Sequence, residues 1–401
     1  MSLFKIVGVV QDYAWGGTSF IPKLLGQTPT GDPYAEYWMG AHDKAPSVVT
    51  DNGKRLNELI TANPTEMLGS LVADHFGRLP FLLKVLDVSD MLSIQVHPSK
   101  FEAEKGFKQE DELGVPLTAK NRNYKDDNHK PELMVALGDF WLLHGFKTLV
   151  ALKATLSNTR ELRHLLPVLE AEGYRGLYQL VMEEDVHETN LTLKPLIDRV
   201  LPRYKAGLLD KSHPDYWAAK AYLTFCQSGD LDKGIYSVYF FNIVKAKAGE
   251  AIFQGAGLPH AYLEGQNMEL MANSDNVLRG GLTPKHVDVP ELLKHVNFAE
   301  TIPAILTGEL QQNGIERIYK SPAPDFELSK IDLRSDSKYH MTASTFEIML
   351  VLSGEVTAIA QDEVVTLKRG EVLAVTAASK YELSTKSNVQ LYKAKCPFNK
   401  G

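Results

Sequence analysis

The chain has 401 residues with 44% hydrophobic and 23% charged side chains, which is ordinary for a globular protein and leaves room for two or three domains. Its formal net charge of -7 argues against a nucleic-acid partner, because such proteins carry a basic excess or a clustered basic stripe. No apolar run approaches the roughly 20 residues of a membrane-spanning helix, and the two cysteines have no CxxC partner, so we expect a cytoplasmic protein without membrane contact, a disulfide framework or thiolate-bound zinc.

The N-terminal part of the chain alternates short apolar runs with turn residues, which predicts β structure with irregular loops. Met1 to Val10 is expected to form a first strand, and leucines and alanines at helical spacing predict helix between Asn52 and Gly77. The long apolar run Phe81 to Val96 contains one cation, Lys84. A charged side chain within an apolar run must either reach the solvent or pair with an anionic group.

The stretch M-L-S-I-Q-V-H-P-S-K, from Met91 to Lys100, places Gln95 and His97 two residues apart in a β-prone run. Because side chains alternate faces along a strand, these two point the same way, and Pro98 then ends the run. An amide and an imidazole on one strand face are either a hydrogen-bonded core pair or two ligands of a metal ion. The stretch alone leaves both alternatives open.

A third candidate ligand precedes an apolar strand predicted from Leu133 to Leu137. The segment Y-K-D-D-N-H-K-P-E-L packs charge immediately before this strand, with Glu132 at its entrance. A carboxylate there is either a solvated strand end or a group directed into the protein. Residues 99–113, further upstream, are charged and helix-forming.

Residues 146–235 have a different character, because leucines recur at spacings of three and four through several segments. Gly173, Asn190 and the break at residues 213–214 separate these segments, which predicts a helical unit. Strands are expected again over the β-branched and aromatic run from Tyr236 to Val244. The simplest topology therefore inserts a helical unit into a β domain.

The segment G-E-A-I-F-Q-G-A-G-L-P-H-A-Y-L-E, from Gly249 to Glu264, resembles the second cupin motif, in which a tight turn delivers a metal-binding histidine to the mouth of a jelly-roll barrel. Here that histidine is His260. A weaker copy of the pattern follows Gly370, and Tyr381 stands where His260 stands in the first copy. Because a phenol is a poor zinc ligand, we expect a second, metal-free β domain after a proline-containing linker at residues 322–324.

Two longer motifs resemble the signature of the type I phosphomannose isomerases, a zinc-dependent family: Y-K-D-D-N-H-K-P-E, and H-A-Y-L-E-G-Q-N-M-E-L-M-A-N-S-D-N-V-L-R-G-G-L-T-P-K from His260 to Lys285. D-Y-A-W-G, A-E-Y-W-M-G-A-H and Q-V-H-P-S-K extend the resemblance over residues 1–290 outside the helical unit. Gly280 departs from the alanine usual after the motif arginine. The resemblance implies an enzyme that interconverts mannose 6-phosphate and fructose 6-phosphate and is linked to mannose use or to GDP-mannose precursor supply.

Carried over to this chain, the resemblance implies one zinc ion held by Gln95, His97, Glu132 and His260. Two imidazoles, one carboxylate and one amide oxygen suit this metal and leave a position open for water or substrate. The resemblance also implies active-site roles for five further residues, namely Arg279, Lys130, His129, Asp275 and Glu269.

The implied reaction moves a proton between two sugar carbons through an enediol, with a direct hydride shift as the alternative. We expect Lys130 and Arg279 to stabilise an enediolate and His129 to open the sugar ring. Glu269, Asp275 and Lys130 all remain candidates for the base. Because the protein is acidic overall, the phosphate group of the substrate must be held by a local basic patch, for which Lys84 and Lys100 are the candidates.

We therefore expect a mainly β protein with an α-helical insert and two cupin (jelly-roll) domains, the C-terminal one degenerate and metal-free. The predicted catalytic domain comprises residues 1–145 and 236–320, the insert 146–235, and the C-terminal domain 321–401. An iron oxygenase and a non-enzymatic sugar-binding or storage protein are the alternatives, and the amide ligand with nearby cations favours a sugar phosphate instead. We expect a monomer whose partner is this small molecule.

Overall fold

A computed structural model describes residues 2–227 and 229–398 of the chain. The predicted ranges 1–145, 146–235 and 321–401 also include residues 1, 228 and 399–401, which lie outside the described part. Within that part the protein is mainly β, with three sheets of antiparallel strands. The strands are β1 (Leu3–Val7), β2 (Val9–Gln11), β3 (Glu36–Gly40), β4 (Val48–Val49), β5 (Phe81–Val88), β6 (Gln95–Val96), β7 (Glu132–Ala136), β8 (Phe140–Phe146), β9 (Phe241–Ala246), β10 (Ala251–Gln254), β11 (His260–Ala272), β12 (Leu278–Arg279), β13 (Glu309–Leu310), β14 (Glu316–Tyr319), β15 (Glu327–Leu333), β16 (Lys338–Thr342), β17 (Glu347–Ser353), β18 (Glu355–Ala360), β19 (Glu363–Lys368), β20 (Val372–Val375), β21 (Lys380–Ser384) and β22 (Val389–Lys395).

Helices occur mainly between β8 and β9, and a smaller group lies in the first hundred or so residues. None of the helices in the described part combines the length and the apolar character that crossing a bilayer requires. The helices are α1 (Phe20–Leu24), α2 (Leu56–Ala62), α3 (Pro64–Leu68), α4 (Ser70–Phe76), α5 (Lys100–Glu112), α6 (Leu149–Asn158), a 3₁₀ helix (Arg160–Leu165), α7 (Leu166–Glu183), α8 (Val186–Lys205), α9 (Pro214–Phe225), α10 (Gly234–Phe240) and α11 (Val289–His295).

The largest sheet has ten strands and is organised around β11, which is thirteen residues long. The second half of β11 pairs with β5 and β7, and its first residues pair with β6 and β8. Alternation along β11 places Met268 and Leu270 in an apolar core, whereas Glu269 and Asn267 belong to the opposite face. That opposite face carries the buried polar residues of the candidate site.

A second sheet of eight strands contains most of the C-terminal part of the chain, together with β1 and β4. In β1, Leu3 lies opposite Val375 and Ile6 opposite Val372 of β20, so the first strand belongs to the same sheet as the C-terminal strands. Strands β13 and β14 also join this sheet, ahead of the domain boundary predicted at residue 321. One apolar core, with Phe4 from this sheet and Leu83 from the ten-stranded sheet, joins the two.

The third sheet has four strands and encloses a further apolar core with the eight-stranded sheet. A charged cluster is buried beside this core. Lys393 Nζ lies 2.8 Å from Glu316 Oε1 and 4.0 Å from Glu347 Oε1, while Tyr339 and Tyr381 donate hydrogen bonds of 2.7 Å to these two carboxylates. The two buried carboxylates therefore share one ammonium group of the chain itself and each also accepts a hydrogen bond from a tyrosine hydroxyl group.

The helical region agrees with the predicted pattern at its break points and differs at its end. Gly173 adopts φ +65 and interrupts α7, as its place between leucine-rich segments predicts. The aromatic run from Tyr236 was expected to be a strand, which is wrong up to Phe240: residues 234–240 form α10, and β9 starts at Phe241. Every residue of α10 is buried, and burial on all sides overrides the β propensity of its aromatic side chains.

Candidate metal centre

Three predicted ligands lie together in the interior of the ten-stranded sheet. One ligand atom from each of His97, Glu132 and His260 lies within 4.8 Å of the other two, and all three residues are buried. His97 Nε2 is 3.4 Å from Glu132 Oε1, and His260 Nε2 is 3.2 Å from Glu132 Oε2. His97 directly follows β6, Glu132 is the first residue of β7 and His260 is the first residue of β11, so the sheet brings together residues that are far apart in sequence.

The two imidazoles are oriented by backbone carbonyl groups. His97 Nδ1 donates to Asn276 O at 2.8 Å, and His260 Nδ1 donates to Leu258 O at 2.9 Å. Because the proton is held on Nδ1, Nε2 is free on each ring to act as a ligand. His97 Nε2 is buried without a hydrogen-bond partner among the described residues, which is the arrangement expected of a metal ligand.

The charge of Glu132 is balanced within the site. Burial alone would raise the pKa of Glu132, but Lys130, whose Nζ lies 3.1 Å from Oε1, and His97 hold this pKa well below its usual range. Burial lowers the pKa of His97 to about 4, although Glu132 opposes this. The carboxyl group is therefore ionised and the imidazole neutral at pH 7, which is the protonation state that metal binding requires.

Gln95 and Arg279 lie next to these three residues, which we call the triad (His97, Glu132 and His260). On the β6–β11 ladder Gln95 is opposite His260, and on the β6–β12 ladder it is opposite Arg279. The backbone therefore brings the fourth predicted ligand and the predicted active-site arginine to the triad from one short strand pair. Two imidazoles, a carboxylate and an amide oxygen fit a zinc ion.

Lys84 has an anionic partner on each side rather than an exit to solvent. Its Nζ lies 3.3 Å from Glu36 Oε2 and 3.4 Å from Glu269 Oε2, and 4.9 Å from the centre of the Trp38 ring. Tyr262 donates a hydrogen bond of 2.8 Å to Glu269. Burial would lower the pKa of Lys84, but the two glutamates raise it, whereas burial and Glu132 raise the pKa of Glu269. The positive charge of Lys84 is therefore shared between Glu36 and Glu269 in the interior.

Asp275 lies at a more open position. Its Oδ2 is 2.6 Å from Lys44 Nζ and 3.7 Å from His42 Nε2, and 29% of its side chain is exposed, against 4% for Glu269. Burial would raise the pKa of Asp275, but the bond to Lys44 and the nearby His42 lower it. Of the two predicted carboxylates, Asp275 is the one a ligand can reach.

Arg279 belongs to a cationic group that the sequence did not reveal. Burial lowers the pKa of Arg279; burial and Arg279 together lower that of Lys285, and burial also lowers that of Lys125. Among the residues that the structure describes, Lys125 Nζ donates only to the carbonyl groups of Leu117 and Ala119, and neither Arg279 nor Lys285 has a carboxylate within ion-pair distance. Such a group attracts an anion.

His129 and Lys100 face a different cleft. His129 Nε2 lies 2.8 Å from Asp325 Oδ2, and Lys100 Nζ donates to Asp127 O at 2.9 Å. Both line a cavity of about 620 Å³, and none of the triad residues lines it. The lining residues are His75, Phe76, Arg78, Pro80, Lys100, Asp127, Asn128, His129, Pro324 and Asp325. The structure thus separates these two predicted residues from the triad.

Asn276 is a buried residue whose importance the sequence did not indicate. Its carbonyl oxygen holds His97, while its side chain donates to Asp126 O at 2.7 Å and to Asn128 O at 2.9 Å. It therefore couples one candidate ligand to the loop that leads to Lys130. Only the three-dimensional pairing of these distant segments makes that role visible.

A mainly β protein with two buried histidines and a glutamate arranged in this way is a mononuclear metalloprotein. Residues 3–149 match the family model of the type I phosphomannose isomerase catalytic domain. The mannose-6-phosphate isomerase of Escherichia coli (strain K12) is 36% identical over 96% of this chain and 98% of its own length, and that of Mus musculus is 33% identical over 94% and 93%. The chain belongs to the mannose-6-phosphate isomerase family.

Solved structures agree over nearly the whole chain. A zinc-bound mannose 6-phosphate isomerase superposes with a TM-score of 0.88 at 33% identity and covers 99% of this chain and 100% of its own. The Salmonella typhimurium enzyme bound to fructose 6-phosphate and zinc gives a TM-score of 0.88 at 34% identity, with the same coverage. The likeness therefore includes the C-terminal part, where the sequence offered no diagnostic residues.

We predict that Gly280→Ala weakens the site by displacing Arg279. A Cβ atom on Gly280 would lie 2.7 Å from Tyr178 Oη and 2.9 Å from Ile94 Cγ2, so the added methyl group must push β12 or α7 aside, which costs about 1–3 kcal/mol. The free energy of unfolding and the turnover rate should both fall.

The matched rescue is Gly280→Ala combined with Tyr178→Phe, which removes the closer of the two atoms. The double variant should recover part of both quantities, measured by denaturant unfolding and by steady-state kinetics. Simple additivity of the two substitutions would show that this contact does not position Arg279.

Proposed function

We propose that the protein is a zinc-dependent isomerase that interconverts D-mannose 6-phosphate and D-fructose 6-phosphate. The observation that carries this proposal is the buried His97, Glu132 and His260 cluster, with both Nε2 atoms turned inward and a cationic group around Arg279 beside it. Gln95 completes the proposed ligand set. The zinc-bound and fructose 6-phosphate-bound relatives support the same metal and substrate.

The proposed architecture is a catalytic cupin domain interrupted by a helical insert and followed by a degenerate, metal-free cupin domain. The buried cluster around Lys393 supports the last point, since Tyr381, the counterpart of His260 by position, donates to Glu347 and an ammonium group already lies between the carboxylates. The domain ranges, the cytoplasmic location and the monomeric state stay predictions from the sequence.

For the phosphate, the geometry supports Arg279, Lys285 and Lys125 better than Lys84. A dianion can pair with cations that have no carboxylate partner, whereas the charge of Lys84 is already shared between Glu36 and Glu269. Lys100 remains a second candidate, because 46% of its side chain is exposed. The KM values of variants at Lys285 and at Lys100 distinguish the site around Arg279 from the site at Lys100.

The proposed chemistry is transfer of a proton between C1 and C2 of the sugar through an enediol. The proposed metabolic role is mannose use or the supply of precursors for GDP-mannose. A zinc ion held by Gln95, His97, Glu132 and His260 would polarise the carbonyl oxygen of the sugar. Lys130 and Arg279 stabilise the charge that develops on the enediolate. Asp275 carries the proton in this proposal because it is accessible, whereas Glu269 is enclosed by Lys84 and Tyr262. The ring-opening role of His129 stays a prediction, since its side chain is turned toward Asp325.

A non-haem iron oxygenase also uses two histidines and one carboxylate. The cations around Arg279, which have no carboxylate partner in the described part of the chain, favour a phosphorylated sugar over an oxygenase substrate. They equally favour an enzyme over a storage protein, which has no need of such a group. Metal identity and activity separate these alternatives in one experiment.

We expect the purified protein to convert mannose 6-phosphate, to lose this activity on chelation and to regain it when zinc is added. The His97→Ala, His260→Ala double variant should contain no zinc by elemental analysis, because only one candidate imidazole-bearing site occurs in the described residues. His340→Ala, at an exposed histidine, serves as the control and should keep both metal and activity. Stoichiometric metal in the double variant would show that the ligands lie elsewhere.

Lys285→Met should raise the KM for mannose 6-phosphate about tenfold or more with a smaller effect on kcat, since a charge-assisted bond to phosphate is made equally in the ground and transition states. Lys100→Met is the matched comparison from the other cleft and should change KM little. The reverse order of the two effects would transfer the phosphate site to Lys100.

Isomerisation in deuterated water should place deuterium at the exchanged carbon of the product, because an acid–base route passes the proton through a group that exchanges with solvent. Asp275→Asn should lower kcat about 10²–10⁴-fold. If the product carried no solvent label and retained all label from C2-deuterated substrate, a hydride shift would be favoured and Asp275 would lose this role.

A further inference from the structure

Two buried polar residues outside the ligand set flank the metal triad. On the β8–β11 ladder His144 lies opposite His260, and on the β10–β7 ladder Gln254 lies opposite Glu132. Directly opposed residues share a sheet face and have Cβ atoms about 4.5–5.5 Å apart. His144 and Gln254 are therefore each the neighbour of one candidate ligand.

His144 and Gln254 are also bonded to each other. His144 Nδ1 donates to Gln254 Oε1 at 2.9 Å, and both side chains are buried. Burial and the nearby His260 lower the pKa of His144 to about 4, which keeps the ring neutral. The bond fixes the amide of Gln254, with Oε1 toward His144 and Nε2 turned away from it.

Gln254 Nε2 is buried and has no hydrogen-bond partner among the described residues. A buried N–H group without an acceptor costs free energy, so its presence calls for an acceptor that becomes available in another state of the protein. Glu132 is the opposed residue on the adjacent strand. Its two oxygens now lie 3.4 Å from His97 Nε2 and 3.2 Å from His260 Nε2.

We propose that Gln254 is a positioning residue for the metal: its amide N–H group donates to the Glu132 carboxylate in the zinc-bound protein, and His144 orients that amide. Binding of the ion reorients the Glu132 carboxylate, and those of its lone pairs that do not bind the ion can accept a hydrogen bond from a new donor. Hydrogen bonds of this kind fix the orientation and basicity of a ligand. The inference rests on the proposed zinc site and adds two residues to it.

The test is a zinc titration of metal-free protein in competition with a chelator. Gln254→Met, which keeps the length of the side chain without its N–H group, should raise the zinc Kd about 10–100-fold. His144→Leu should raise it less, and His144→Asn, whose amide supplies a donor near the Nδ1 position, should restore most of the affinity. Thermal unfolding of each metal-free variant establishes that it is folded.

Asn267→Leu is the matched control. Asn267 is another fully buried amide without a partner among the described residues, but it lies opposite Leu86 and Ala136 rather than opposite a ligand. It should change the unfolding temperature and leave the zinc Kd unchanged. An unchanged Kd in Gln254→Met, or an equal loss in Asn267→Leu, would overturn this inference alone, whereas a wild-type protein without zinc affinity would overturn the proposed function with it.

Discussion

The buried charge of Glu132 is the constraint on which the rest of the site depends. An ionised carboxylate in the interior is stable only when positive charge or hydrogen-bond donors surround it. Lys130 supplies a nearby charge, and the His97 and His260 rings supply inward-facing nitrogens. A bound cation satisfies the same requirement more fully. The backbone carbonyl groups that hold both rings are therefore as much part of the site as its ligands.

The two β regions meet a similar electrostatic requirement in different ways. In the ten-stranded sheet the ligand atoms of His97, Glu132 and His260 are clustered as a metal ion requires. Nearby, the positive charge of Lys84 partly compensates the negative charges of Glu36 and Glu269. Beside the C-terminal core, Lys393 takes the place of an ion between two glutamates. Removal of a buried lysine of this kind leaves uncompensated carboxylates, a change that typically costs about 3–5 kcal/mol. In both regions buried charged groups therefore lie beside an apolar core.

Strand alternation and the turn before His260 made His97, Glu132 and His260 candidates, but local pattern left an alternative reading for His97 and for Glu132. The family resemblance was needed to combine the three into one ligand set. The pairing of β1 with β20 could not be predicted, since it depends on contacts between the two ends of the chain. The helix at residues 234–240 and the cation Lys285 were missed for the same reason: burial on all sides and distance from a carboxylate are properties of the fold.

The helical insert contributes to the site although it supplies none of the clustered ligands. The Asp232 carboxylate, which lies just ahead of α10, accepts hydrogen bonds from the backbone N–H groups of Gly234, Leu282 and Thr283. Gly281 packs so closely on Gly234 that a Cβ atom would lie 2.5 Å from its nitrogen, and its φ of +107 itself favours glycine. The chain immediately after Arg279 is thus fixed against the helices, while β12 pairs with the strand of Gln95. Fixing the backbone on both sides of Arg279 reduces the conformational freedom that this segment would lose in the proposed binding of an anion, and this is how the insert contributes to the site.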